Sequence, residues 1–148
     1  MNQKIEPPND AEIAWMQTNV RAIRESAGGE AGPAMIDELY AGWFEEWAGQ
    51  PDEDREDPNP MINAFGLAFG QVLVDELGLE WAVVTDEHGT EIAVHGKPHD
   101  LIVFPPNLVA KRFERATHFL APIYEGITSG SPTSAARARP QEPRPGRI

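Results

Sequence analysis

The chain has 148 residues, no cysteine, and a formal net charge of −12 from 24 acidic and 12 basic side chains. This length suits a single domain, the lack of cysteine excludes disulfide scaffolds, thiolate zinc sites and cysteine nucleophiles, and the acidity disfavours nucleic-acid binding by the folded domain. Residues 1–10 lack the apolar core of a secretory signal and the most apolar run, 61–74, is too short to span a membrane, so we expect a soluble, cytoplasmic protein without a membrane partner.

Residues 1–50 are predicted to form a helical hairpin. Apolar residues recur at steps of three and four from Ile13 to Ala27, which indicates a helix from Asp10 to Gly28 capped by Asn9 or Asp10. A second helix should begin near Pro33, and the short Gly-rich connection favours an antiparallel pair. Its apolar stripe is expected to hold Ile36, Tyr40, Trp43 and Trp47, with Asp37, Glu38, Glu45 and Glu46 on the solvent side. Trp43 and Trp47 are expected in the core; if they were exposed they would mark an interface.

An acidic linker is expected at residues 51–60. Asp52, Asp54 and Glu56 alternate as at the start of a calcium-binding loop. Such a loop needs glycine at its sixth position and glutamate at its twelfth, where Asp57 and Asn63 stand instead. A solvated loop is therefore favoured over a calcium site.

Residues 61–77 are predicted to form a central helix that is buried on most sides, because its polar residues fall on one narrow line. Gly66 and Gly70 lie four residues apart, and each costs about 1 kcal/mol in helix propensity relative to alanine. Their presence predicts the close approach of another backbone.

Three strands should follow, at 80–85, 91–95 and 101–104, as a three-stranded antiparallel meander. A last helix is predicted from Asn107, behind two prolines, to Pro122, with an apolar stripe of Val109, Phe113, Ala116 and Leu120. Residues 127–148 are rich in Gly, Ser, Pro and Arg without periodicity, and we expect a disordered tail. The fold class is thus α+β, with residues 1–126 as a single domain.

Asp86, Glu87 and His88 resemble a metal site or an active site, but Asp and Gly residues in this pattern are typical of a hairpin turn. On a strand, His88 and His95 would lie about 20 Å apart and could not share one ion. His95, His99 and Asp100 straddle one tight turn, and two imidazoles with a carboxylate could hold zinc or iron. This trio is the alternative metal site; no cofactor and no catalytic residue are predicted.

Two further groups of charged residues have ordinary interpretations. Asp75, Glu76 and Glu80 could supply paired carboxylates for acid–base chemistry, yet a solvated helix end is favoured. Lys111, Arg112 and Arg115 form the basic cluster of the folded region and could bind a phosphate or an acidic partner, although such residues more often pair internally.

The segments "FGLAFGQVLVDELGLEW", "DEHGTEIAV" and "VFPPNLVAKRFE", in this order, resemble a bacterial family known as domain of unknown function 3806 (DUF3806). The resemblance covers about residues 61–126 and implies a small α+β domain with no established activity. It carries over no catalytic residue. Lys111 and Arg112 match the Lys-Arg step of the family, which ranks them above other exposed residues as a binding site.

The sequence favours a non-enzymatic protein-interaction module, such as an adaptor, an immunity-type inhibitor or a secretion chaperone. Its acidity suits a cationic protein partner, because charge complementarity speeds encounter. The alternatives are a metal-dependent enzyme built on His95, His99 and Asp100, and a small-ligand sensor that uses the covered sheet as a pocket floor.

Overall fold

The computed structural model describes residues 3–96 and 101–129, which contain five helices and a four-stranded antiparallel sheet with the helices on one of its faces. The helices are α1 (Asp10–Ala27), α2 (Pro33–Ala48), α3 (Asn59–Leu77), α4 (Pro105–Arg112) and α5 (Leu120–Thr128). The strands, in sheet order, are β1 (Lys4–Glu6), β2 (Glu80–Asp86), β3 (Gly89–Gly96) and β4 (Leu101–Val103). A short 3-10 turn, Asp52–Asp54, lies in the acidic linker. The predicted α+β class is confirmed.

The predicted strand number is wrong by one, because β1 adds a fourth strand at the edge of the sheet. It pairs antiparallel with β2, with Ile5 opposite Val84. A strand of three residues with one apolar side chain has no measurable period, so it is recognisable only from its partner. The three predicted strands are present and form the expected meander.

α1 begins and ends where the sequence indicates. Asn9 Oδ1 accepts the backbone N–H of Glu12 at 2.7 Å, and the Glu12 carboxylate accepts the N–H of Asn9 at the same distance, which is a reciprocal capping box. Gly28 ends the helix at φ 83°. The buried stripe consists of Met16, Val20 and Ile23, whereas Ile13, predicted in that stripe, is exposed.

α3 is the central helix, and its glycines permit the predicted close approach. A Cβ on Gly66 would lie 2.5 Å from Cα of Pro106, which is backbone. A Cβ on Gly70 would lie 2.5 Å from the indole ring of Trp81 and 2.8 Å from the ring of Pro105. The N-terminus of α4 therefore packs directly on the surface of α3.

The predicted C-terminal helix is wrong at both its start and its continuity. α4 begins at Pro105 rather than Asn107, because proline fits the first turn of a helix, where its missing N–H is not needed. α4 ends at Arg112, and Glu114 and His118 adopt positive φ angles of 70° and 59° before α5 begins.

The break serves the packing of two aromatic rings on α2. Phe113 and Phe119 both contact aromatic side chains of α2, Phe119 at 5.6 Å from the ring of Tyr40 and Phe113 at 5.1 Å from Trp47. In an unbroken helix they would lie about 120° apart around the axis and would not both face α2. Trp43 and Trp47 pack within this aromatic cluster, so both belong to the interior side of α2.

Asp37, predicted on the solvent side of α2, is instead buried, with 3% of its surface exposed. Its two carboxylate oxygens accept the backbone N–H groups of Leu120 at 2.8 Å and Ala121 at 2.9 Å. These are unpaired donors of the first turn of α5, so Asp37 caps a helix that lies more than eighty residues away in the chain.

Several predictions fall partly outside the described residues. His99 and Asp100 lie there, as does the predicted tail from residue 130 onward. α5 runs through Thr128, and Ile127 is a buried core residue. In the described part of the chain, no helix combines the length and apolarity that a membrane crossing requires.

Candidate functional site

The sheet has two faces, and the pairing register assigns each strand residue to one of them. Trp81 faces the helices, because its Nε1 donates to Oε1 of Gln71 on α3 at 3.2 Å. Side chains alternate along a strand, so Ala82 and Val84 point to the opposite side of the sheet. We call that side the outer face. The register places on it Ile5, Glu80, Ala82, Val84, Asp86, Glu91, Ala93, His95 and Ile102.

The outer face combines small apolar residues with carboxylates. Ala82, Val84 and Ala93 form a flat centre, which we call the floor. Glu80 and Glu91, which we call the rim carboxylates, lie on either side of it, about 13 Å apart along the strands. Within the described strands no lysine or arginine projects on this face, since Lys4 pairs with Thr85 on the helix side. Such a face suits contact with a cationic segment that carries small apolar groups.

His95, the described member of the alternative metal trio, also lies on the outer face. It stands opposite Glu80 in the β2–β3 ladder and opposite Ile102 in the β3–β4 ladder. Across residues 3–96 and 101–129, no three side chains of the types that bind metals come together. The trio with His99 and Asp100 remains a prediction, because two of its members lie outside those residues.

Asp86, Glu87 and His88 form the bend of a hairpin, as the turn chemistry predicts. Asp86 pairs with Gly89 across the β2–β3 ladder, so Glu87 and His88 are the two turn residues. Asp86 Oδ1 accepts the backbone N–H of His88 at 2.8 Å, and Gly89 has a φ of 125°. His88 and His95 therefore lie at opposite ends of β3, too far apart to share an ion.

The predicted cluster of Lys111, Arg112 and Arg115 does not converge on one point. Lys111 is exposed on the last turn of α4 and Arg115 is exposed in the turn that follows. Arg112 turns inward: its Nη1 donates to the carbonyl of Leu108 at 3.0 Å, and its guanidinium lies 5.7 Å from the ring centre of Phe119. Burial lowers the pKa of this guanidinium. Arg112 is thus part of the packing, whereas binding by Lys111 and Arg115 stays a prediction.

The carboxylates at the end of α3 do not form a reactive pair. Asp75 accepts from Arg24 Nη2 at 3.0 Å and from Gln71 at 2.8 Å. Glu76 and Glu80 are exposed, and Glu80 begins β2. The favoured interpretation of these residues as a solvated helix end fits this geometry.

A groove between α1 and α3 is one place in the described structure with room for a small ligand. It has a volume of about 560 Å³ and is open to solvent. Its lining consists of Gln17, Val20, Arg21, Arg24, Glu25, Gly28, Gly29 and Gln71. None of these residues belongs to the sheet, so the groove is not the sheet-floored pocket expected for a sensor.

Tyr40 has an unusual environment at the centre of the aromatic cluster. Its ring is 1% exposed, and its hydroxyl has no hydrogen-bond partner among the described residues. Burial, with a smaller contribution from the charge of Glu114, raises the pKa of this hydroxyl to about 12. A buried hydroxyl without a partner costs free energy, so its presence weakens the fold at this point.

Replacing Tyr40 with phenylalanine should therefore leave the free energy of unfolding at neutral pH unchanged or raise it by up to about 1 kcal/mol. Below pH 10, the ordinary tyrosine pKa, the free energy of unfolding does not depend on the ionisation of Tyr40. It falls as pH rises from 10 toward 12, because this tyrosine ionises in the unfolded chain before it ionises in the folded one. Denaturant unfolding of the wild-type chain at neutral and alkaline pH should show that this ionisation lowers the free energy of unfolding by up to about 2 kcal/mol. Tyr40→Phe should not show this decrease. Tyr124→Phe, which removes the other tyrosine of the chain, should retain it. A drop of more than about 1 kcal/mol at neutral pH in Tyr40→Phe would mean that the hydroxyl has a stabilising partner.

Sequence reasoning missed the outer face as a unit. The individual carboxylates are visible in the sequence, but the face to which each belongs depends on strand register. The alternation of β3 contains half of the signal, since Glu91, Ala93 and His95 are two residues apart and therefore share one side of a strand. Asp37 and Tyr40 had no such signal, because their partners lie on distant elements.

The comparison with known families matches the chain to the model described as domain of unknown function (DUF3806), over residues 45–120. The match starts earlier and ends earlier than the predicted range of 61–126, so it includes the end of α2 and the acidic linker. No curated protein and no solved structure matches the chain. The family model covers more than half of the 148 residues, and the chain belongs to the DUF3806 family.

Proposed function

We propose that the protein is a non-enzymatic, cytoplasmic interaction module that binds a cationic segment of a protein partner on the outer face of its sheet. The observation that carries this proposal is that the outer face combines an apolar floor with the rim carboxylates. The described strands contribute no basic side chain to this face. The described residues as a whole carry 22 acidic and 7 basic side chains, which supports the same ligand charge.

The two parts of the face have different roles in binding. Long-range attraction by the acidic surface speeds the encounter with a basic partner. At contact, arginine or lysine side chains of the partner pair with Glu80 and Glu91, and small apolar residues of the partner meet the floor. Partly exposed ion pairs contribute little each, so the affinity depends on several of them together with apolar contact. This mode of binding is compatible with an adaptor, an immunity-type inhibitor or a secretion chaperone.

A charge-reversal experiment tests the site with a matched control. Glu80→Lys combined with Glu91→Lys should weaken the binding of a synthetic Arg/Ala peptide at least tenfold, about 1.4 kcal/mol. Glu45→Lys with Glu46→Lys, on the exposed side of α2, changes the net charge equally and should have a much smaller effect. Fluorescence anisotropy of the labelled peptide, at low and high ionic strength, measures both.

Two results of this experiment would contradict the proposal. Equal weakening by the two double variants would show that only total charge matters and that the outer face is not a site. The proposal would also be contradicted if the peptide bound neither the wild-type chain nor a variant in which serine replaces Arg137, Arg139, Arg144 and Arg147. The domain would then have no affinity for a cationic segment.

A further inference from the structure

The floor of the outer face is completely buried, although it points away from the helices. Ala82 is 1% exposed, and Val84 and Ala93 are 0% exposed. None of them belongs to either of the two clusters in which the helices and the inner face of the sheet pack together. One uncovered face of an antiparallel sheet normally stays in contact with water. Among residues 3–96 and 101–129, the packing of the helices therefore does not account for the burial of the floor.

The charge distribution indicates which part of the chain complements this face. Residues 130–148 contain four arginines, Arg137, Arg139, Arg144 and Arg147, and one acid, Glu142. The described residues have a large excess of acids. Small residues, Ala135, Ala136 and Ala138, flank the first two arginines and suit a floor made of alanine and valine.

We propose that the segment 130–148 binds the outer face of its own sheet. In this arrangement its alanines lie on the floor, and its arginine side chains extend sideways to the rim carboxylates, Glu80 and Glu91. Long arginine side chains can cover apolar surface with their methylene groups while the guanidinium reaches a carboxylate at the edge.

The segment is long enough to reach the face from the end of α5. Its 19 residues span up to about 60 Å when extended, and Arg137 lies eight residues, at most about 26 Å, beyond Ser129. A folded domain of about 130 residues has a radius of gyration of about 14 Å. Arg144 and Arg147, up to about 50 Å and 60 Å from Ser129 along an extended chain, can therefore reach the far side of the domain, whereas Arg137 reaches only positions within about 26 Å of Ser129.

Docking of the segment on its own domain has a regulatory consequence. This consequence rests on the proposed function, but the docking does not depend on it. A tethered segment is present at a high effective concentration, about millimolar for a short flexible linker. It therefore competes with any cationic partner for the outer face. Removing its charge should strengthen the binding of the Arg/Ala peptide at least several-fold.

A spin-label experiment on the full-length chain tests the docking directly. The chain has no cysteine, so Ser134→Cys provides a single attachment site beside the first two arginines. A nitroxide at this position should broaden the amide resonances of Ala82, Val84 and Ala93 at low ionic strength. The broadening should be lost when the four arginines of the segment are replaced by serine, and also in the Glu80→Lys, Glu91→Lys variant.

The outcomes of this experiment and of the peptide-binding experiment distinguish the docking of segment 130–148 from the proposed function. Absence of broadening overturns the docking, and so does broadening that survives both sets of charge changes. If the label broadens the outer face as expected but the serine variant does not bind the Arg/Ala peptide, docking stands and the proposed function falls. If the peptide binds and the label has no effect, the proposed function stands without the docking.

Discussion

Replacing Gly66 with alanine should lower the free energy of unfolding by about 2–3 kcal/mol, as measured by urea denaturation. The added Cβ would lie 2.5 Å from Cα of Pro106 and 2.8 Å from the carbonyl oxygen of Pro105. These are backbone atoms at the start of α4, and they cannot turn aside as a flexible side chain does. The clash therefore outweighs the gain of about 1 kcal/mol that alanine brings to a helix interior.

Two other glycine substitutions serve as controls. Gly42→Ala in α2 adds a Cβ with nothing within 4 Å, so it should raise the free energy of unfolding by about 0.5–1 kcal/mol. The free energy of unfolding of Gly70→Ala should lie between those of Gly66→Ala and Gly42→Ala, because its new Cβ meets the side chains of Trp81 and Pro105 rather than backbone. If Gly66→Ala were as stable as Gly42→Ala, the contact between α3 and α4 would be looser than described.

Replacing Asp37 with alanine should cost about 3 kcal/mol of unfolding free energy. The change removes both acceptors of the N–H groups of Leu120 and Ala121 and leaves the first donor unpaired in a buried position and the second in a partly buried one. It also removes a negative charge from the N-terminus of α5, where it is favourable. Urea denaturation measures the loss, and amide hydrogen exchange should show that α5 opens more readily than α3.

Neighbouring and conservative substitutions make this test specific. Glu38→Ala affects only an exposed contact with His118, 3.1 Å long, and should cost less than about 1 kcal/mol. Asp37→Asn keeps one acceptor oxygen, so its free energy of unfolding should lie about halfway between those of the wild type and Asp37→Ala. A cost for Asp37→Ala no greater than that for Glu38→Ala would contradict the capping role.

The elements that could be predicted are those whose determinants are local. The capping box of Asn9 and the left-handed Gly28 lie within the helix that they delimit, so the sequence alone defines α1. The β2–β3 hairpin follows from its turn residues in the same way. β1 could not be predicted, because its three residues become a strand only through pairing with β2, nearly eighty residues later.

The features that escaped prediction depend on contacts between distant residues. The interruption after Arg112 places Phe113 and Phe119 against α2, and helical periodicity contains no information about that neighbour. Asp37 has the position of a solvent-facing residue on α2 until α5 is placed over it. For the candidate site, the acidic residues could be found from the sequence, but their common face required the register of three strand pairs.

The hydrogen bond from the backbone N–H of Leu120 to Asp37 crosses the boundary of the family range. Residues 45–120 include Phe65 and Phe119, whose rings pack against Tyr40, and Tyr40 precedes that range. They also end at the first residue of α5, so the helix that Asp37 holds in place lies almost wholly beyond them. A fragment cut to residues 45–120 would expose this aromatic surface to water. A relative that shared only that range would need other elements in place of residues 33–44 of α2 and of α5.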